Sequence, residues 1–388
     1  MVKQRLALIL TCILAWLPAA AAAVAASGDA SWKARPGPWG DLEIRTVYLE
    51  APDALLAAVA KPNAVTRWVF EQMSESGVRD LLQKHGVPAP MIARLFDPAS
   101  RSASDNIVKL YPTVEELASL PMAARSSLYR ELAKSPANEY QRDPVYILGG
   151  DLDEWLADSG LSAQQTALFR RLLWKRGEAL AFSDIQALLT LAAGPEETRD
   201  TFRALTRVRS LIVELKLPLR VERSVFLDYW SAGMTDTSQL TFLRSMLRRR
   251  ADQTIDITHL FPNLARQRVF TFPELEWGLK GRFPDCHWTS LNFAAAVPND
   301  DYLDTAKAAG RLVGSYQTVE APYRFGDVLC FLDDGEGLHT CVYVADDIVF
   351  TKNGDSVLAP WVLMQLKDVE SVYRRSPSTR IQGYRLKR

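Results

Sequence analysis

The sequence predicts an α+β protein whose helices precede its main sheet. From residue 53 to 252, apolar residues recur at spacings of three and four, which is typical of amphipathic helices. After residue 254, β-branched and aromatic residues become frequent, and the segment from Phe325 to Gly354 has the strongest strand signal in the chain. A run of helices followed by a run of strands is the order expected of an α+β fold.

The first 26 residues have the composition of a secretory signal peptide. Lys3 and Arg5 precede the apolar run from Leu6 to Leu17, and Pro18 and an alanine tract with small-residue cleavage options follow. The apolar run is too short to span a bilayer comfortably, and no later stretch approaches the roughly 20 apolar residues that a spanning helix needs. We therefore expect a secreted or periplasmic chain that begins near Ser27.

Charge and motif content exclude several classes of function. Lys plus Arg and Asp plus Glu number 46 each, so there is no overall field to attract nucleic acid, and contact with a membrane is expected to be peripheral at most. The chain has no histidine pair, CxxC motif or phosphate-binding loop. Neither a metal nor a nucleotide cofactor is therefore expected.

The chain divides into four predicted segments. Residues 1–26 form the signal peptide, and residues 27–52 form an N-terminal segment with a short strand at Leu42–Leu49. Residues 53–252 form a mainly helical domain, in which one apolar stripe continues across residues 202–215. This domain is expected to position substrate, restrict access or dock a protein partner. Residues 253–388 form the domain that contains the sheet.

The sheet is predicted as an antiparallel meander. Two β-rich runs, Val328–Leu332 and Leu338–Val344, are separated by an Asp- and Gly-rich turn that suits a hairpin. A third run follows at Ile348–Thr351, and the C-terminal residues 379–388 offer another strand. The preceding segments Trp288–Ala296 and Asp301–Leu312 are predicted to be helices.

Cys286 is the first candidate for chemistry. Cys286, Cys330 and Cys341 remain after the predicted cleavage, and an odd number of cysteines in an exported chain leaves a thiol free or implies a partner chain. Pro284 disfavours helix before it, so a helix is expected to begin at or beside Cys286 with Asp285 as its cap. A helix N-terminus favours the thiolate, and its free N–H groups are suited to hold an oxyanion.

A thiolate nucleophile needs a proton acceptor, and histidine suits that role at neutral pH. Of the four histidines, His287 is adjacent to Cys286, so on a helix its side chain is expected to point about 100° away. His85 and His259 lie in polar or Pro-flanked contexts with no strand around them. His339 begins the second strand of the predicted meander, which makes it the favoured base.

These residues together resemble a known family. Trp277-Gly278, Asp285-Cys286, Gly326-Asp327-Val328 and His339-x-x-x-Tyr343 occur in the order found in the NlpC-like, papain-fold cysteine peptidases of bacterial cell walls. The resemblance covers residues 254–388, about a third of the chain. It implies a papain-like domain in which a helix that opens with the cysteine packs on an antiparallel sheet.

The resemblance also implies three catalytic roles. Cys286 would be the nucleophile, His339 the base, and one residue within 351–353 would orient the imidazole. We favour Asn353, because an amide oxygen accepts the ring N–H and fixes the tautomer; Thr351 stays open. Two positions depart from the family pattern: His287-Trp288 replaces serine-glycine, and Leu275 stands where an aromatic hydroxyl is common.

The resulting expectation is an exported cysteine peptidase or amidase that cleaves an amide bond, with peptidoglycan stem peptides as the substrate implied by the family. Two alternatives remain: a non-catalytic envelope scaffold with a papain-like remnant, and an acyltransferase in which an amine or alcohol replaces water. Cys330 and Cys341 fall on adjacent predicted strands. They are expected to be either a disulfide or two separate buried thiols, because the turn register is open by one residue.

Overall fold

The computed structural model describes residues 31–387 except 60–64, 105–106, 150, 218, 220, 233–237, 249–251, 280 and 375. The predicted signal peptide, residues 1–26, lies outside the described residues. Across the part that is described, no helix is both long and apolar enough to cross a membrane. The described residues combine helices with antiparallel sheets, which is compatible with an α+β fold.

The strands of the described residues are numbered in chain order. They are β1 (Trp32–Lys33), β2 (Leu42–Leu49), β3 (Trp68–Glu71), β4 (Arg101–Ser104), β5 (Ile107–Leu110), β6 (Val145–Ile147), β7 (Trp174–Arg176), β8 (Ala179–Phe182), β9 (Val208–Leu217), β10 (Gln253–Asp256), β11 (Tyr316–Val319), β12 (Val328–Asp333), β13 (Glu336–Ala345), β14 (Ile348–Lys352), β15 (Trp361–Gln365) and β16 (Arg380–Leu386).

The α-helices are numbered in the same way. They are α1 (Asp53–Val59), α2 (Glu75–Lys84), α3 (Ala89–Leu95), α4 (Val114–Ser119), α5 (Met122–Leu132), α6 (Glu139–Arg142), α7 (Leu152–Leu156), α8 (Ala163–Leu172), α9 (Ile185–Leu189), α10 (Pro195–Thr206), α11 (Arg223–Ser231), α12 (Ser238–Met246), α13 (Asn263–Arg268), α14 (Glu276–Leu279), α15 (Cys286–Leu291), α16 (Thr305–Ser315) and α17 (Leu366–Tyr373). Short 3-10 helices occur at Pro98–Ser100, Ile257–Leu260 and Asp300–Leu303.

A six-stranded antiparallel sheet carries the predicted meander. Its strand order is β11-β16-β12-β13-β14-β15, so the three predicted meander strands and the C-terminal strand are confirmed. The first hairpin turns at Asp334 and Gly335, which both have positive φ, at 48° and 86°. Positive φ at both central residues suits the right-handed twist of the paired strands. Strand β15 was not predicted from the sequence.

A second sheet has the order β1-β2-β9-β10, and it corrects the helix predicted across residues 202–215. Helix α10 ends at Thr206, and Val208–Leu217 forms β9, paired with β2 on one edge and β10 on the other. Its buried apolar residues recur at a spacing of two: Leu211, Val213, Leu215 and Leu217. The segment fits both the helical and the strand period, and pairing on both edges decides for the strand.

The helices before the meander differ in length from their predictions. Helix α15 begins at Cys286, as expected, but it ends at Leu291 instead of continuing to Ala296. It stops where the Asn292 side chain turns to bind the backbone of Asn299, accepting from its N–H at 2.7 Å and donating to its carbonyl at 3.2 Å. The second predicted helix is displaced towards the C-terminus and forms α16, capped by Asp304.

The region predicted to be mainly helical also contains two small sheets. Helices α1–α10 pack around the three-stranded sheets β3-β5-β4 and β6-β8-β7. Their buried apolar residues form one core, which extends to Val357 and to the partly buried Phe272, Phe283 and Leu358 of the C-terminal region. The first region therefore lies directly against the segments that precede Cys286 and follow β14.

The buried core does not divide at the predicted boundary between residues 252 and 253. One apolar cluster joins β2 and β9 to one face of the six-stranded sheet, through residues such as Leu211, Trp288 and Phe350. The Ser210 hydroxyl donates to the Leu363 carbonyl at 3.2 Å and accepts from its N–H at 3.1 Å. A separate cluster, including Phe331 and Tyr373, packs α17 on the opposite face. The six-stranded sheet is thus covered on both faces.

Candidate active site

Cys286 is the first residue of α15, in the position that the sequence predicts. Asp285 is the N-cap, and its carboxylate accepts the Trp288 N–H at 2.8 Å. Thr289 anchors the next turn, because its hydroxyl donates to the Asp285 carbonyl at 2.7 Å and accepts from the indole N–H of Trp361 at 2.9 Å. The thiol is only 6% exposed. Helix capping and these side-chain contacts fix where the sulfur lies relative to the sheet.

His339 lies on β13 and is fully buried. It pairs with Phe331 across the hairpin, just before a register shift that leaves one extra residue in β13. Its ring stacks on Tyr373 of α17, with centroids 3.9 Å apart and planes 10° from parallel. A bulge re-aims the side chains beside it, and the stacking holds the imidazole plane against the sheet.

Thr351 of β14 orients this ring. The Thr351 Oγ1 lies 3.0 Å from His339 Nε2, and the same hydroxyl donates to the Thr340 carbonyl at 3.3 Å. Because the hydroxyl proton is used by Thr340, Oγ1 accepts from His339 and Nε2 carries the ring proton. His339 Nδ1 is then an unprotonated lone pair, buried and without a hydrogen-bond partner of ordinary geometry in the described residues. This is the tautomer that a general base needs.

The structure does not bring Asn353 to the imidazole, contrary to the favoured assignment. Strand β14 ends at Lys352, so Asn353 lies just beyond the last paired residue. Its side-chain N–H₂ group contacts Met364 Sδ at 3.2 Å, and its Oδ1 has no hydrogen-bond partner among the described residues. Thr351, which the sequence left open, makes the contact instead. The assignment of the orienting residue depends on where β14 ends, and a shift of one residue changes it. Sequence patterns rarely locate strand ends that closely.

His287 was assigned away from the sulfur on helical geometry, and this prediction is wrong. The His287 ring hydrogen-bonds to the Cys286 sulfur, and its Nδ1 lies 3.3 Å from Thr340 Oγ1 of β13. At the start of a six-residue helix, the side chain turns back along the sheet surface instead of projecting into solvent. The signal in the sequence was an imidazole directly after the cysteine.

The two imidazoles dominate the electrostatics of the thiol. Burial raises the pKa of Cys286, but the neighbouring imidazoles of His339 and His287 lower it, so that the net pKa lies well below the ordinary thiol value. Burial lowers the pKa of His287, but the charge and hydrogen bond of Cys286 and the charge of Asp285 raise it to about 9. A thiolate beside an imidazolium is therefore the favoured state at neutral pH.

Lys352 is a further buried titratable group that interacts electrostatically with Cys286. Its ammonium donates to the carbonyls of Gly354 and Ser356, both at 2.9 Å, and so holds the segment that follows β14. Burial lowers its pKa to about 7, against the opposing charges of Asp355, Asp285 and Cys286. The ammonium is occupied by backbone carbonyls, which makes it a support for the site and not a proton carrier.

Cys330 and Cys341 are separate buried thiols, which resolves the alternative left open by the sequence. Cys330 pairs with Thr340 and Cys341 with Leu329, so the two cysteines are offset by one residue and face opposite sides of the sheet. Burial raises the pKa of Cys330 to about 12 and that of Cys341 well above its usual value. Among the described cysteines, Cys286 alone is favoured as a thiolate.

Comparisons with protein-family models, with curated proteins and with solved structures find no match to this chain. The described residues contain no group of three or more His, Cys, Asp or Glu side chains arranged to hold a metal ion.

Proposed function

We propose that this protein is a cysteine hydrolase of the NlpC-like, papain-fold type, in which Cys286 is the nucleophile, His339 the base and Thr351 the residue that orients the base. The observation that supports this most directly is the unpaired lone pair of His339 Nδ1, in a ring whose other nitrogen is held 3.0 Å from Thr351 Oγ1. Thr351 takes the role for which Asn353 was favoured from the sequence.

The proposed reaction is hydrolysis of an amide bond through a thioester. The Cys286 thiolate attacks the carbonyl carbon, the C–N bond breaks, and the amine leaves after it is protonated by an imidazolium beside the sulfur. His339 then removes a proton from water, hydroxide attacks the thioester, and the C–S bond breaks to regenerate the thiolate. Long or poorly aligned thiol–imidazole geometry in a ligand-free enzyme is compatible with this scheme.

The proposed substrate is a stem peptide of peptidoglycan, and the proposed compartment is the periplasm or the exterior of the cell. Both follow from the family resemblance and the N-terminal sequence. The first region supports a role in substrate placement, because its core includes Val357 and contacts Phe283 and Leu358. In the sequence, Phe283 precedes Cys286, and Val357 and Leu358 follow the end of β14.

Digestion of purified peptidoglycan tests the proposal. We expect the wild-type protein to release peptide fragments with new amino termini, and Cys286→Ala to release none. Cys341→Ala is the matched control, since it removes a buried thiol that faces the side of the sheet opposite to Thr340 and its partner His287 and should leave the fragment pattern unchanged. Identical fragment patterns from wild type and Cys286→Ala would remove Cys286 from the reaction.

Alkylation by iodoacetamide at pH 6 tests the activation of the thiol without any substrate. We expect rapid carboxamidomethylation of Cys286 and slow labelling of Cys330 and Cys341, measured by peptide mass spectrometry. A wild-type Cys286 that reacts as slowly as an ordinary thiol of pKa about 8.5 would favour the non-catalytic scaffold. Peptide release into an added amine, in place of water, would instead favour the acyltransferase.

A further inference from the structure

The sulfur of Cys286 has two imidazole neighbours, and the proposed hydrolysis uses only one of them as a base. His339 is fully buried, stacked on Tyr373 and fixed by Thr351. His287 is only partly buried and lies between the sulfur and Thr340 Oγ1, 3.3 Å from the hydroxyl. The two rings therefore differ in exposure: His287 is partly open to solvent, whereas His339 is closed off from it.

The rings also differ in what they can donate. The only ring proton of neutral His339 is on Nε2, which is engaged by Thr351, so the nitrogen that faces the site has a lone pair and no proton. An amine cannot leave a tetrahedral intermediate without a proton, because an amide anion is a very poor leaving group. The buried ring supplies none unless it first accepts one.

His287 is surrounded by groups that favour its charged form. Asp285 and the Cys286 thiolate lie beside it in the chain, and their charges outweigh the effect of burial and raise its pKa to about 9. Cys330 of β12 and the His287 ring both lie within 4 Å of the position that a Cβ at Gly337 would take. His339 of β13 and Lys352 of β14 interact electrostatically with the same Cys286 sulfur. The buried Lys352 ammonium loses its charge near pH 7 and so opposes the imidazolium little above that pH.

We propose that His287 is a second catalytic histidine, which stores a proton in an ion pair with the Cys286 thiolate and gives it to the departing amine, while His339 takes the proton from water. The inference rests on the proposed hydrolysis and divides its proton transfers between two residues. Acid and base roles are separated because one ring faces substrate with a proton and the other faces it with a lone pair.

The proton balance closes over one turnover. In the resting site the sulfur is S⁻, His287 is an imidazolium and His339 is neutral. Attack forms the S–C bond, and collapse breaks the C–N bond as His287 protonates the nitrogen, leaving a thioester and two neutral rings. His339 then takes a proton from water, hydroxide adds to the carbonyl, and the C–S bond breaks to give the acid and S⁻. The proton on His339 returns through solvent to His287, and the acid ionises to a carboxylate.

A change of leaving group tests this assignment. A soluble muropeptide requires protonation of its leaving amine, whereas p-nitrophenyl acetate releases a nitrophenolate that departs without a proton. For His287→Gln we expect kcat/KM for the muropeptide to fall at least a hundredfold and acylation by p-nitrophenyl acetate, followed as the first-turnover burst, to fall less than tenfold. His85→Gln is the matched control, because His85 lies in the first region, where its ring hydrogen-bonds to Ser127. This substitution should leave both rates unchanged.

The pH dependence gives a second readout that a purely structural role does not change. For the muropeptide, wild-type kcat/KM should decline above pH about 9 as His287 loses its proton, and this decline should be absent with p-nitrophenyl acetate and in His287→Gln. Equal losses with both substrates, or an unchanged alkaline decline in His287→Gln, would overturn the role of His287. The alkylation rate of wild-type Cys286 separates the two failures. If Cys286 reacts as slowly as an ordinary thiol, the proposed hydrolysis itself is overturned. If Cys286 reacts rapidly, only the role of His287 is overturned.

Discussion

Two regions of the molecule bury titratable side chains, and they do so in different ways. In the first region, Tyr129 donates its hydroxyl to both oxygens of Asp184, at 2.8 and 2.9 Å. Arg125 donates to four backbone carbonyls, including that of Leu173 at 3.1 Å. In the C-terminal region, which carries the six-stranded sheet, Cys286 and His339 are also buried. There, however, His339 Nδ1 has no hydrogen-bond partner of ordinary geometry.

The difference indicates what separates a structural cluster from a candidate active site. Burial raises the pKa of Asp184 to about 6, although Arg125 and the Tyr129 hydroxyl oppose it, so a perturbed carboxyl occurs where both of its oxygens are paired. A perturbed pKa alone therefore does not identify chemistry. Around Cys286 the perturbed group is a thiol, the nearby His339 Nδ1 has no hydrogen-bond partner of ordinary geometry, and the neighbouring His287 is partly exposed.

The largest expected effect is that of removing the proposed base. His339→Gln should lower peptide release by about a hundredfold to ten-thousandfold, because the ring proposed to accept the water proton is lost. Initial rates on soluble muropeptides measure this. Asp184→Asn is the control for removal of a buried titratable group and should change the rate less than about twofold. If both variants lose a comparable share of the initial rate, the loss in His339→Gln comes from reduced stability of the protein and not from a lost catalytic group.

The second prediction concerns the stability of the first region. The pKa of Asp184, 3.8 in the unfolded state and about 6 in the folded state, is raised by folding. Its contribution to the free energy of unfolding is therefore fully present below pH 3.8 and is lost as pH rises through 6, by about 3 kcal/mol. Denaturant unfolding from pH 4 to 7 should show this decline in the wild type and not in Asp184→Asn.

The control for the pH dependence is Asp228→Asn, which neutralises an exposed carboxylate on α11 and should retain the wild-type decline. A decline that persists in Asp184→Asn would show that another group titrates in this window.

The substitution Tyr129→Phe should lower the free energy of unfolding at neutral pH by about 1–3 kcal/mol, because the buried Asp184 carboxylate loses its hydrogen-bond donor. Denaturant unfolding measures this change.

The smallest of the three effects concerns the residue that orients His339. Thr351→Val removes the hydroxyl and keeps the shape, and we expect kcat/KM to fall about tenfold with a changed acid limb of the pH profile, because the ring tautomer is no longer fixed. Thr351→Ser should restore most of the rate. Asn353→Ala should have a smaller effect than Thr351→Val; the reverse order would return the orienting role to Asn353.

Much of the C-terminal architecture was predictable from the sequence because its signals are local. Asp334-Gly335 between two β-rich runs specifies a hairpin turn, and Pro284-Asp285 before an apolar-periodic segment specifies where a helix begins. Strand β9 was not predictable in the same way. Its apolar residues satisfy both the helical and the strand period, and pairing with β2, more than 150 residues earlier in the chain, decided between them.

The sequence by itself determined where the helix of Cys286 begins and which strand carries His339, because capping, turn and alternation signals act over a few residues. Only the tertiary structure decided which side chains meet the imidazole and the sulfur. Thr351 reaches His339 and Asn353 does not, because β14 ends at Lys352. His287 returns to the sulfur because the surface of β13 offers Thr340 as its partner. Such contacts depend on strand register and helix packing, which bring together residues far apart in the chain.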